Sequence, residues 1–112
     1  MAEGIKYDKG KPRMDLLAGE ALRGTAQVLA FGAEKYEPRG WEKGIEYSRV
    51  FAALQRHLWA WQQGENLDPE TGIHHLHHAA CNIMFLQTYV ERGMHELDDR
   101  PHDKSEAQDG RD

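Results

Sequence analysis

Residues Ile73–Glu91, IHHLHHAACNIMFLQTYVE, decide the fold. Leu76, Ala79, Ile83, Leu86 and Val90 alternate three- and four-residue steps, the spacing of an α-helix with one apolar stripe. Gly93 supplies the stop. For the start, Asp68 before Pro69 and Thr71 before Gly72 are the two available caps. Toward the N-terminus, Tyr47, Phe51, Leu54, Leu58 and Trp61 repeat in the same way, predicting a helix from Tyr47 or Ser48 to Gln63. Ser48 is its candidate cap and Gly64 its stop. Leu22, Ala26, Leu29, Ala33 and Tyr36 predict another helix from about Asp15 to Tyr36, with Asp15 as N-cap and Pro38 and Gly40 ending it. No segment keeps a period of two, so the expected fold class is all-α. Phe51, Trp59, Trp61, Phe85 and Tyr89 are more aromatic surface than three helices can hide. Dimerisation into a four-helix-like arrangement is the expected remedy.

A chain of 112 residues forms one core. Hydrophobic residues make up 39% and charged residues 29%, a balance that becomes ordinary once the ends are set apart. Residues 1–14 read as an extended, locally basic arm and 15–93 as a single helical domain. Residues 94–112 read as an acidic tail, because seven acids and three bases between Glu96 and Asp112 accompany only Leu97 and Ala107 as apolar groups. The body is close to neutral, which argues against a duplex nucleic-acid binder. One cysteine, Cys81, excludes an internal disulfide and fits a reducing compartment. Met1–Arg13 has no apolar signal core, and no apolar run approaches a membrane span. A cytoplasmic protein is the expectation.

Just before and within the third helix, Gly64–Asn82 gathers three carboxylates, four histidines and asparagines. At about 100° per residue, His75, His78 and Asn82 share one face, while His74 and His77 point elsewhere. Imidazoles at i and i+3 can meet one metal ion, and Asn82 one turn on can ligate or orient a water. Glu65, Asp68 and Glu70 precede them with the oxygens that a hard dication such as Mg²⁺ or Mn²⁺ prefers. Each residue also has a plainer use. Asp68 can cap a helix, Glu70 can answer the helix dipole, and a histidine beside a core stripe can be a hydrogen-bonded boundary group. Arg56 and His57 lie midway along the second helix. A guanidinium there suits a phosphate or a carboxylate such as Glu65 or Glu70.

Three stretches taken together, KYDKGKPRMDLL, FGAEKYEPRGW and RHLWAWQQGENLDPETGIHHLHHAACNIMFL, resemble the N-terminal domain of phage dATP/dGTP diphosphohydrolases. These are MazG-like nucleotide pyrophosphohydrolases, among them the MazZ type that serves 2-aminoadenine genomes. The resemblance spans about residues 5–90. It implies a helical NTP-pyrophosphatase-type bundle completed by oligomerisation, dimer or tetramer. It also implies Mg²⁺- or Mn²⁺-dependent cleavage of dGTP or dATP to the monophosphate and pyrophosphate. The chain departs from the wider pattern of paired acidic helices. His78 and Asn82 stand where an acidic pair is expected, Glu65-x-x-Asp68 falls in a loop, and Glu34-x-x-Glu37 runs into Pro38.

Under that resemblance, Glu65, Asp68, His75, His78 and Asn82 are the expected metal ligands. Glu65, Glu70 and His78 are the expected catalytic groups, with Glu70 taking the proton of the attacking water. Lys6, Lys11 and Arg13 would close over the triphosphate from the arm, joined by Lys35, Arg56 and His57. Tyr36 and Trp41 would pack the purine. Two rivals use the same residues: a metal-dependent phosphohydrolase with other products, and a non-catalytic phage protein whose histidines hold a structural metal.

Overall fold

The computed structural model describes residues 4, 5 and 7–102. Three helices carry the fold: α1, Gly19–Lys35; α2, Tyr47–Gln62; and α3, His75–Glu91. Single 3-10 turns lie at Met14–Leu16, Gly40–Lys43 and His95–Leu97. Among the described residues the only extended pairing is an isolated bridge between Leu67 and His74, so the chain is all-α as expected. α1 and α2 both pack against α3 rather than against each other, which leaves a gap between them over the inner face of α3. No helix among the described residues is long and apolar enough to cross a membrane.

Where the helices begin differs from the sequence reading. α1 starts at Gly19, because Asp15 lies in the first 3-10 turn and its carboxylate receives the Arg13 guanidinium at 2.8 and 2.9 Å. α2 starts at Tyr47, but Ser48 does not cap it. Instead the Ser48 amide and hydroxyl donate to Asp99 at 2.9 and 2.5 Å, so a carboxylate from the far end of the chain meets the positive pole of α2. α3 is capped by neither Asp68 nor Thr71. The His74 side chain accepts from the Leu76 amide at 3.0 Å.

The largest departure concerns which face of α3 turns inward. His75, His78, Ala79, Cys81 and Tyr89 are buried, whereas the expected stripe is largely outside: Leu76, Ile83 and Val90 are 39%, 44% and 58% exposed. The polar face can go inside because its imidazoles find hydrogen-bonding partners there, which removes most of the cost of burying them. The core proper joins Tyr47, Val50 and Tyr89, with Trp41, Ile45, Phe85 and Leu86 packed around them. Phe85 and Tyr89 are thus used internally, while Phe51, Trp59 and Trp61 remain exposed.

Residues from Met94 onward are not uniformly tail-like. Met94 and Leu97 pack on the core, with Asp99 fastened to Ser48 just beyond. The acidic composition of the stretch concealed these two apolar anchors. Residues 103–112, the remainder of that expected tail, lie outside the described residues, as does Lys6 of the arm.

On the opposite flank, α1 approaches α3 through Gly24, the one buried residue of that helix. A Cβ at Gly24 would lie 2.1–2.4 Å from the His77 ring. His77, turned away from the site as its spacing predicted, is therefore packing material between two helices. Gly24→Ala gains helix propensity but must push an imidazole aside. The overlap should win, lowering stability by about 1–3 kcal/mol. Urea titration of both proteins checks this; an alanine variant as stable as the parent would refute the close packing.

Candidate functional site

The loop between α2 and α3, residues 63–74, is internally tied, and that is why it can place side chains. Gly64 and Gly72 take positive φ of 100° and 74°, conformations open to glycine at little cost. Between them the Asp68 amide donates to Ile73 O at 2.9 Å, the His75 amide to Asn66 O at 2.8 Å, and the Gly72 amide to Asp68 O at 2.7 Å. Asp68 Oδ1 accepts from the Glu70 amide at 2.9 Å, and Thr71 Oγ1 from the Ile73 amide at 3.2 Å. The loop thus presents Glu65, Asp68 and Thr71 to the first turns of α3.

Two connected chains of contacts result. In one, Glu65 Oε1 lies 2.8 Å from His75 Nε2, and His75 Nδ1 lies 2.9 Å from His57 Nδ1 on α2. In the other, His78 Nε2 lies 2.7 Å from Thr71 Oγ1 and 3.4 Å from Asp68 Oδ2. The His57 and His78 rings stack, with centroids 4.4 Å apart and planes 6° from parallel, and so join the chains. One ligand atom each from His57, Asp68 and His78 falls within a span of 4.8 Å. Among the described residues no lysine or arginine pairs with Asp68 or Glu65, whose ion-pair partners are His78 and His75.

This cluster floors a cavity of about 930 Å³ in the gap between α1 and α2. Lys35 and Tyr36 at the end of α1, Trp41 beyond it, Arg56 and His57 on α2, and Asn82 on α3 all reach its wall. So do Glu65, Asp68, Glu70, His75 and His78, which brings eleven of the sequence-nominated residues to one space. Asn82 commits its amide nitrogen to the His78 carbonyl at 3.0 Å. Trp41 stacks on Phe85 at 4.8 Å, and the Lys35 ammonium sits 5.5 Å from the Tyr36 ring centroid. Lys11 and Arg13 are not brought there. They line a separate concavity formed by residues between Asp8 and Asp15. Two participants escaped the sequence reading in part. Thr71 was weighed only as a cap. His57 was weighed only beside the substrate, since nothing in its own helix shows that it faces His75 and His78.

Burial sets the electrostatics. Desolvation, and secondly the neighbouring His78, push the His57 pKa below its ordinary value. Desolvation also lowers His78, partly opposed by Asp68. Burial drives the Cys81 thiol, on the same wall, up to about 11, which keeps it protonated and a poor nucleophile. Both histidines therefore resist charging in the folded protein while charging normally, near pH 6.5, when unfolded. Below that value the unfolded chain binds more protons, so stability is lost as pH falls from 7 through 6. Melting temperatures of the chelator-treated protein should drop across that window, and less steeply in His57→Gln. The depressed carboxyls of Glu42, Asp98 and Asp99 act at lower pH, as each is protonated. An unchanged slope in the variant would discount His57.

An all-helical protein with a tied loop of carboxylates and histidines under a cavity of about 930 Å³ is the class that fold and site define. The chain belongs to the family described as dATP/dGTP diphosphohydrolase, N-terminal, whose sequence model matches residues 1–100. It is 37% identical over 83 residues to a dATP/dGTP diphosphohydrolase of Salmonella phage PMBT28. That alignment covers 74% of this chain but 28% of the relative, so the chain spans little more than a quarter of the relative's length. No solved structure matches it.

Proposed function

We propose that this chain is the catalytic unit of a divalent-metal-dependent diphosphohydrolase, converting dGTP or dATP to the deoxynucleoside monophosphate and pyrophosphate. The observation that carries this reading is the His57–Asp68–His78 cluster at the floor of a cavity of about 930 Å³, a volume suited to a nucleotide, in a member of this family.

The donor set fits a cation. Two imidazoles and a carboxylate lie within 4.8 Å, and no lysine or arginine among the described residues neutralises the acid. Asp68 and His78 would hold the ion, Mg²⁺ or Mn²⁺, with Glu65, His75 and Asn82 beside them. A dication supplies neutralisation of the negative charge on phosphate oxygens. Water attacks the α-phosphorus, and the α–β bridging oxygen leaves with its electron pair on pyrophosphate. The water's proton passes to a carboxylate, for which Glu70 is the candidate: its side chain reaches the cavity and makes no ion pair among the described residues. Lys35 and Arg56 approach the triphosphate from the two flanking helices. Arg56 is in no ion pair among the described residues and so keeps its charge for a ligand. Tyr36 and Trp41 offer aromatic faces to the purine. Lys11 and Arg13 remain arm residues that would have to move to reach it.

We read the biological role as supply of dGMP for 2-aminoadenine nucleotide synthesis in a phage, and the working form as a homo-oligomer. The exposed Leu76, Ile83 and Val90, one every seven residues along α3, support the latter as a seam for a second helix. The test is product identification from dGTP and dATP with Mg²⁺ or Mn²⁺. Monophosphate plus pyrophosphate is expected. Nucleoside plus triphosphate, diphosphate plus phosphate, or no turnover would overturn the reading.

A further inference from the structure

The inner face of α3 changes chemistry along its length, and the cavity that it lines changes with it. His75 and His78 stand near the start of the helix beside Glu65 and Asp68. Further along stands Phe85, stacked on Trp41 with ring centroids 4.8 Å apart. Asn82 lies between the two ends and lines the same cavity. At 1.5 Å of rise per residue it is about 6 Å along the axis from His78 and about 4.5 Å from Phe85.

The Asn82 carboxamide is held in one orientation. A carbonyl oxygen only accepts, so the 3.0 Å contact with the His78 carbonyl is made by Nδ2. Oδ1 therefore points away from that carbonyl, and no donor among the described residues reaches it. Nor is it walled in. Every fully buried side-chain nitrogen or oxygen among the described residues has a partner, so an unpartnered Oδ1 is open to the cavity. An acceptor fixed in this way selects a ligand that offers a donor.

We propose that Asn82 Oδ1 accepts the 3′-hydroxyl of the substrate's deoxyribose, which makes Asn82 a residue that reads the sugar. This deepens the proposed function and rests on it for the identity of the substrate. With the phosphates at the histidine end and the purine against Trp41, the sugar falls in the middle, where Asn82 is. The sugar of a 2′-deoxynucleoside triphosphate carries one donor, the 3′-hydroxyl. The N–H groups of a purine lie on the ring edge far from the sugar and would reach past Phe85 instead. Asn82 is half-buried, so a substrate without the hydroxyl leaves its oxygen poorly satisfied.

The experiment compares kcat/KM for dGTP and 2′,3′-dideoxyGTP, and for the matching adenine pair, in the full chain with Mg²⁺ or Mn²⁺. The unmutated protein should prefer the 3′-hydroxyl substrate by about 10- to 100-fold. In Asn82→Ala that preference should shrink to about 3-fold or less, because the dideoxy substrate has little to lose. Equal rates on both substrates without mutation overturn the inference, whether or not the variant folds. A variant that loses equally on both, as removal of a metal ligand or a structural residue would cause, does the same. dITP lacks the 2-amino group of dGTP and tests the base. A dGTP-to-dITP ratio that moves in Asn82→Ala, with the sugar preference intact, assigns Oδ1 to the purine and overturns the inference too. The 3′-hydroxyl preference with products other than monophosphate and pyrophosphate removes the proposed function alone. Those products without the preference remove this inference alone. If nothing is hydrolysed, equilibrium affinities for each pair of triphosphates make the same comparison, and absence of binding removes both.

Discussion

Asp68→Asn is expected to lower kcat/KM for dGTP or dATP by about 10³-fold, roughly 4 kcal/mol of transition-state stabilisation, while leaving the fold intact. Asparagine has nearly the shape of aspartate and keeps an oxygen able to accept the Glu70 amide that Asp68 Oδ1 now receives at 2.9 Å. What it removes is the negative charge of Oδ2, 3.4 Å from His78 Nε2, in a side chain only 13% exposed. A partly buried charge facing two imidazoles, without a basic partner among the described residues, has little structural reason to be there. Its loss should therefore cost activity rather than stability. The comparison needs steady-state kinetics and a thermal melt on the same preparation. Activity within tenfold of the parent would remove Asp68 from the machinery. A collapse of the melt would instead make it a structural residue.

Tyr89→Ala should produce the largest loss of stability, about 4 kcal/mol, which in a domain of this size lowers the melting temperature by on the order of 20 °C. Tyr89 is fully buried at the centre of the core, against Tyr47 and Val50. Its hydroxyl donates to the Trp41 carbonyl at 2.6 Å, tying α3 to the turn that carries Trp41 to the cavity wall. Alanine deletes both the ring and this hydrogen bond, leaving the Gly44 amide, at 3.1 Å, as the donor to that carbonyl. Tyr89→Phe deletes only the hydrogen bond and should cost about 1–2 kcal/mol. Chemical denaturation of the two variants separates packing from hydrogen bonding. Equal losses in both would mean that the hydroxyl, rather than the ring, holds the core.

The existence of the helices was legible because their apolar residues repeat at helical spacing and glycines follow α2 and α3. Which side of α3 faces inward was not. Leu76, Ile83 and Val90 outrank His75, His78 and Asn82 in hydrophobicity, and a helical projection sees the residues but not their partners. Those partners, Glu65, Thr71 and His57, lie in a loop and on another helix, and only the packing of α2 on α3 brings them together. The candidate site shows the same limit. Spacing put His75 and His78 on one face, whereas His57 required the relation between two helices. Caps misled for a similar reason. Ser48 has the right chemistry for the start of α2 but works as a donor to a residue fifty-one positions away.

That distant clasp alters what counts as the module. By its helices the unit ends at Glu91, and a boundary drawn just after Gly93 looks natural. A cut there would strip Met94 and Leu97 from the core and take Asp99 from the start of α2, the helix that carries His57. The clasp at Asp99 lies within a residue of where the family match stops, at position 100. The transferable piece is therefore a fastened loop of chain rather than a set of three helices. Any fusion or excision that treats residues 94–100 as spacer would be cutting through its buckle.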